Sequence, residues 1–361
     1  MTTDLRTAPT AATTADLSTL WAQRIGCARG LLPGSALTEQ VRVLADLGGE
    51  EYLLRLKPGQ DTVLDVVSAL PRVAAALERR GDQVAVEPHP SGVNCLARLI
   101  VVDDSPLRRT TAHPGVAAFN PATGSVAIGL HTDGALAQWA LWNDRGAVSG
   151  AIIAAHGSGG TNLVRGLLSA VAGYDPIVPW VIDVHQGVNL GDTTHLATRV
   201  GLNPAEGGQM LLDAHEIGRS RVANLTGTMP VAYQPTREAP LNLLLVDELD
   251  PLMDQRGAYG EQAAALEWLL RYGGKVGISV VVRATTAASN AFNRVGSRTA
   301  AFAGNAVVLA EVGRFAHNVV PGLVGDPALL PRTWSDGTSA AGLGYSTRRY
   351  APLRSFLAGQ S

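Results

Sequence analysis

The stretch Gly150-Ala151-Ile152-Ile153-Ala154-Ala155-His156-Gly157-Ser158-Gly159-Gly160-Thr161-Asn162-Leu163-Val164 decides how this 361-residue chain is read. Ala151 to Ala155 reads as a strand, Gly157, Gly159 and Gly160 make a turn, and Thr161 to Ala172 has helical spacing. Strand, glycine-rich turn and helix are the three parts of a phosphate loop. The strand delivers the chain, the glycines let backbone N–H groups point inward, and the helix N-terminus turns its dipole on the anion. Set against G-x-x-x-x-G-K-[ST], Ala154 stands at the first glycine and Gly159 at the second. Thr161 stands at the hydroxyl that would hold Mg²⁺, and Gly160 at the lysine. The loop keeps its amides and lacks the cation that reaches the β- and γ-phosphates. Losing such a contact costs on the order of 10²–10³ in rate. A plain tight turn fits the same residues, so the reading needs support from elsewhere in the chain.

Leu243-Leu244-Leu245-Val246-Asp247-Glu248 supplies it, as an apolar strand ending in two acids. In a phosphate-loop protein, Asp247 would bind Mg²⁺ through water and Glu248 would polarise the attacking water. A buried strand running into a helix, with acids favoured by the dipole, is the other reading. The intervening chain favours the first. Ile177–Asp183 reads as a strand ending on an acid, Ala205–Arg221 and Gln262–Tyr272 as helices, and Gly277–Val282 and Ala306–Leu309 as further buried strands. This alternation predicts an α/β fold: a three-layer P-loop NTPase core with a mainly parallel sheet.

Outward from the core, residues 17–104 read as a smaller α+β module. It has helices over Leu17–Ala28 and Thr62–Arg79, the latter kinked or split at Pro71, and strands over Tyr52–Leu56, Val84–Glu87 and Leu96–Val102. Residues 1–16, polar and rich in Thr and Ala, read as a disordered lead-in, 105–312 as the core, and 313–361 as a loop-rich closure. A net charge of −2 gives no bulk electrostatic argument for nucleic acid. Cys27 and Cys95 match no metal spacing and fit a reducing compartment. No window approaches the ~18 apolar residues of a membrane helix, and no signal core is present, so the sequence reads as cytoplasmic with no membrane segment. His185, His195 and His215 lack metal-ligand spacing, which leaves Mg²⁺ as the one metal expected.

The order of these blocks resembles the FtsK/SpoIIIE-like DNA translocases, most closely the TraB-like actinobacterial conjugation proteins. Gly157-Ser158-Gly159-Gly160-Thr161-Asn162 follows the family's loop except at the lysine. Trp180 to Gly187, Asp247-Glu248-Leu249, Arg271 to Ile278, and Phe292, Arg298, Gly304 and Asn305 are similar to its later segments. The resemblance runs over roughly Ser105 to Asn305, and implies a homo-hexameric ring on double-stranded DNA driven by ATP and Mg²⁺. It places nucleotide on His156, Gly157, Ser158, Gly159, Gly160, Thr161 and Asn162, Mg²⁺ on Thr161 and Asp247, and catalysis on Glu248. Arg298 becomes a candidate arginine finger in trans. Arg219, Arg221 and Arg237 are candidates for DNA phosphate, with a solvated surface as the other reading.

The departures cluster. Besides Gly160, the family's Thr-Gln pair after the Gly277–Val282 strand is replaced by Arg283-Ala284-Thr285-Thr286, and its last-strand arginine is lost near Ala310. Each loss touches phosphate sensing or charge neutralisation, while the acids remain. One account is a nucleotide-binding protein whose hydrolysis is weak or lost. At its limit this is a catalytically dead pseudo-ATPase, serving as a structural subunit or beside an active FtsK-like partner. The other is an active enzyme whose cation comes from elsewhere, with Arg283 either that substitute or a surface or structural arginine. His156 stands to bond a phosphate or to fill space beside the turn.

Overall fold

From Thr14 to Arg109 the chain builds an antiparallel sheet with two helices. The computed structural model describes residues 14–224, 233–253, 259–287, 292, 298–310 and 319–359. These fall into two compact units, one up to Arg109 together with Thr132–Gly134, the other Thr110–His131 and Ala135 onward. The first contains α1 (Thr14–Arg24), β1 (Ala36–Leu44), β2 (Gly49–Arg55), α2 (Val63–Ala76), β3 (Val84–Pro88) and β4 (Leu96–Val101). Its sheet runs β1-β2-β4-β3. The Thr62 N–H donates to Asp65 Oδ2 at 2.7 Å and caps α2, which buries Val63, Val66, Leu70 and Val73. Pro71 sits inside α2 without splitting it. It lies on the exposed face, where the carbonyl it leaves unbonded can meet water. The strand β1 was not anticipated, because its Val41 and Val43 are 50% and 61% exposed and show no buried face.

The second unit contains β5 (Phe119–Asn120), β6 (Ser125–His131), β7 (Leu136–Ala140), β8 (Trp142–Asn143), β9 (Gly146–Ala147) and β10 (Gly150–Ala154). It continues with α3 (Gly160–Val171), β11 (Ile177–Asp183), β12 (Arg199–Gly201), α4 (Pro204–Ala223), β13 (Leu241–Asp247), α5 (Leu249–Met253) and α6 (Tyr259–Tyr272). It ends with β14 (Ile278–Ala284), α7 (Arg298–Ala303), β15 (Asn305–Leu309), β16 (Leu343–Ser346) and β17 (Arg349–Ser355). An eleven-stranded sheet runs β12-β11-β13-β14-β10-β15-β16-β17-β6-β5, with β7 on β6. The pairs from β12 to β15 are parallel, and those beyond are antiparallel.

The parallel strands are apolar on both faces, as strands covered by helices must be. On β10, Ile152 and Ala154 join a core with Leu163, Val164 and Leu167 of α3. Ala151 and Ile153 face the opposite way, into a core with Met210 and Leu211 of α4 and Leu266 and Leu269 of α6. The fold is thus a mixed α/β one with a large, mostly parallel sheet between helices.

Two sequence-based boundaries shift. The break read after Asp104 falls after Arg109. The stretch 313–361, read as loop-rich closure, contributes β16 and β17 to the sheet within its described part. Gly344 of β16 and the proline and arginines of β17 hide their strand character; Arg354 becomes buried by donating to the Ala341 and Ser339 carbonyls at 3.2 and 2.9 Å. Of the lead-in, residues 1–13 lie outside the described residues and Thr14 already belongs to α1.

Candidate functional site

Strand periodicity sets the site. Side chains two apart share a face, so Asp183, Asp247 and Arg283 follow Val181, Leu245 and Val281 onto the face that α3 covers. They lie at the C-terminal ends of β11, β13 and β14, three adjacent strands. On the neighbouring β10, Ile152 pairs with Arg283 in register. There the chain leaves Ala154, turns through Ala155–Gly159 and enters α3 at Gly160.

The turn needs its glycines. Gly157 and Gly159 take φ of +76° and +99°, a region that side chains disfavour. A Cβ on Gly157 would meet nothing within 4 Å, so this face of the loop is open. Ser158 is buried; its hydroxyl donates to the Ala155 carbonyl at 2.6 Å, and its own carbonyl accepts from Gly342 N–H at 2.8 Å. The first four N–H groups of α3 have no partner within the helix, and the dipole there favours an anion. Thr161, in the first turn, donates its hydroxyl to Asp247 Oδ2 at 3.2 Å.

Arg283 ties the acids together. It is 4% exposed; its Nε donates to Asp247 Oδ1, and its Nη2 pairs with Glu248 Oε1 at 2.8 Å. His185 Nε2 bonds the other Glu248 oxygen. These contacts hold Glu248 at φ +76°, a left-handed conformation that costs a non-glycine residue about 1–2 kcal/mol. Asp183 is fully buried and serves the backbone: it accepts from the His185 and Leu190 N–H groups at 3.0 and 2.9 Å.

The charges follow from this packing. Burial pushes the Asp247 carboxyl up, and Arg283 offsets only part of the rise, to which Asp183 adds. Burial also acts to raise Glu248, but hydrogen bonds from His185 and Arg283 outweigh it and hold this carboxyl below its ordinary value. Arg283 loses by burial and gains more from Asp247 and Glu248, which keep it charged. Glu248 is therefore the more acidic of the adjacent pair, and one guanidinium serves both.

Of the residues singled out in the sequence, Thr161, Asp247 and Glu248 come together beside the glycine-rich loop. Asn162 does not face the loop's open side: its Nδ2 donates to the Phe356 carbonyl at 2.6 Å and its Oδ1 accepts from Ala358 N–H at 2.8 Å, pinning the chain after β17. His156 is exposed at the turn. Arg298 opens α7, and its side chain lies outside the described residues. Arg221, a candidate for DNA phosphate, is spent internally on the Val276 and Gly277 carbonyls at 2.8 and 3.2 Å and on Asn242 Oδ1 at 2.6 Å. Arg237 pairs with Asp175, and Arg219 is exposed. Reading the sequence one motif at a time missed Asp183 and His185 as members of the site and left Arg283 open between two roles. The strand parity that carries Asp247 inward carries Asp183 and Arg283 with it, so that signal was present.

Among the described residues no cluster of three or more His, Cys, Asp or Glu is arranged to hold a metal, and no helix is long and apolar enough to cross a membrane. The sequence matches no protein-family model and no curated protein. Solved structures do match. The pCW3 conjugation coupling protein TcpA, solved as a monomer form with ATPγS, superposes with a TM-score of 0.55 at 12% identity, over 96% of this chain and 95% of that one. The cytoplasmic domain of the Type VII secretion ATPase EccC from Thermomonospora curvata gives a TM-score of 0.53 at 18% identity; the match covers 68% of this chain and spans 30% of the EccC chain. At these identities the likeness is one of fold. The mixed α/β architecture is the one these two structures share, a conjugation coupling protein and a secretion ATPase.

Proposed function

We propose that this chain binds ATP at its glycine-rich loop and works as an FtsK/SpoIIIE-like, ring-forming protein on double-stranded DNA, in translocation or transfer. The observation that carries the reading is the meeting of Thr161, from the loop's helix, with Asp247, from the acidic strand end, at 3.2 Å. Two motifs 86 residues apart converge at this point, in a fold shared with a coupling protein solved with ATPγS. In this reading the amides from Gly159 to Asn162 hold phosphate, and His156, Gly157 and Ser158 shape the turn around it. The hexameric ring and the DNA rest on the sequence resemblance, and a cytoplasmic location on the reading of the sequence itself.

The donor set at Thr161 and Asp247 fits Mg²⁺. Among the described residues Oδ2 of Asp247 meets only the Thr161 hydroxyl while Oδ1 is taken by Arg283, and Mg²⁺ is commonly held by one or two carboxylates with phosphate and water completing the shell. When bound, the ion would neutralise phosphate charge. Glu248 is ionised at neutral pH and would accept a proton from the attacking water. Held low, it is a weak base, and both its oxygens are engaged.

That engagement, with the absent loop lysine, favours a second reading: a subunit that binds nucleotide without turning it over, in its own ring or beside an active FtsK-like partner. ATP hydrolysis with and without duplex DNA separates the two. DNA-stimulated turnover abolished by Glu248→Gln supports the motor. Nucleotide binding with turnover absent supports the non-hydrolysing subunit, and turnover unchanged by Glu248→Gln would show that this acid is not catalytic.

A further inference from the structure

We infer that Arg283 is the cation of this phosphate site, entering from the neighbouring strand to take the place of the lysine the loop lacks. A Cβ on Gly160 would stand 2.9 Å from Arg283 Cδ, 3.5 Å from its Cγ and 2.5 Å from the Ala154 Cβ. The room that a side chain at 160 would enter is therefore filled by the arginine stem and the alanine methyl. Residues 154, 160 and 283 form one packing unit: Ala where the motif has glycine, Gly where it has lysine, and an arginine filling the difference.

The charge goes where the stem leads. Arg283 is nine-tenths buried, and Asp247 and Glu248 orient its guanidinium through Nε and Nη2. An arginine carries five N–H donors in a planar fork, so the others remain to meet phosphate oxygens at the mouth of the loop. A guanidinium suits that task, since its fork matches phosphate geometry. The pairing also explains how two acids coexist with a nucleotide site that has no lysine.

The inference rests on the nucleotide reading above, and calorimetric titration with ATPγS and Mg²⁺ keeps the two apart. The full chain binds. Arg283→Thr binds about tenfold more weakly or worse, as loss of a charge-assisted hydrogen bond predicts. The triple variant Ala154→Gly/Gly160→Lys/Arg283→Thr, which moves the cation back onto the loop, recovers most of that loss. It also keeps a positive charge beside Asp247, so it remains informative where the single variant does not fold. A folded Arg283→Thr that binds as the unmodified chain does, or a folded triple variant that does not bind, overturns the role of Arg283 and leaves the nucleotide reading standing. No binding by the unmodified chain overturns both.

Discussion

Replacing Gly160 by alanine adds one methyl group and should destabilise the protein, against the local rule. Gly160 is the first residue of α3 and its φ is not positive. Alanine there would be expected to stabilise by about 0.5–1 kcal/mol through helix propensity alone. The packing reverses the sign. The new Cβ would lie 2.5 Å from the Ala154 Cβ and 2.9 Å from Arg283 Cδ, where carbon atoms rest at about 3.5–4.0 Å. Neither neighbour yields readily: Ala154 is on β10, hydrogen-bonded to a strand on each side, and Arg283 is held by two carboxylates. Overpacking of this kind costs about 1–3 kcal/mol. Ala154→Gly removes the closer obstacle, so the double variant should recover more than the sum of the singles, with a coupling of about 1–2 kcal/mol. Urea unfolding followed by tryptophan fluorescence reads this unit, because five of the six tryptophans lie in it. A Gly160→Ala protein as stable as the unmodified chain, or singles that simply add, would refute the packing argument and with it the stated reason for glycine at 160.

Three further outcomes follow from the same packing. Asn162→Ala removes both bonds to the Phe356–Ala358 backbone and should cost about 1–3 kcal/mol, with faster hydrogen exchange at Ala358; unchanged exchange would mean that Asn162 is no anchor. Arg221→Ala leaves Asn242 Oδ1 and the Val276 carbonyl without their donor, while the Gly277 carbonyl keeps the Asn242 N–H; it should destabilise by a similar ~1–3 kcal/mol, whereas the exposed Arg219→Ala leaves stability unchanged; equal effects would argue against the structural role of Arg221. Glu248 titrates lower in the folded chain than its ordinary value of 4.5. Below that value the unfolded state takes up the proton first, so the stabilisation from this residue is full above 4.5 and is lost as pH falls through the folded pKa. The stability gap between the unmodified chain and Glu248→Gln should narrow on acidification, and a gap that widens in acid would contradict the sign.

The central strands were legible because their residues leave one option. Leu241 to Val246 is apolar at all but one position and can only be covered on both faces, and the acids at its end fixed its direction toward the loop. The edges were not legible for the opposite reason. Val41 and Val43 of β1 face outward, and β17 carries Pro352 and Arg354, whose burial depends on carbonyls supplied by a distant turn. At the site, reading one motif at a time found Thr161, Asp247 and Glu248, since each belongs to a known spacing. Asn162 fitted the same spacing, but its partners come from nearly two hundred residues downstream, and no local pattern signals that. Arg283 sits in a run of valines where charge is costly unless paired. A buried arginine one strand from two acids was readable as their partner once the strand order was known.

Everything proposed for the site depends on whether the loop takes nucleotide. Isothermal titration of the full chain with ATPγS in the presence of Mg²⁺ asks that alone, without requiring turnover, DNA or a ring. The account predicts saturable binding at or below the millimolar range, weaker than in a lysine-bearing loop. Absence of any binding heat up to millimolar nucleotide, confirmed by an unshifted melting temperature, would contradict it and leave the glycine-rich loop with no nucleotide to hold.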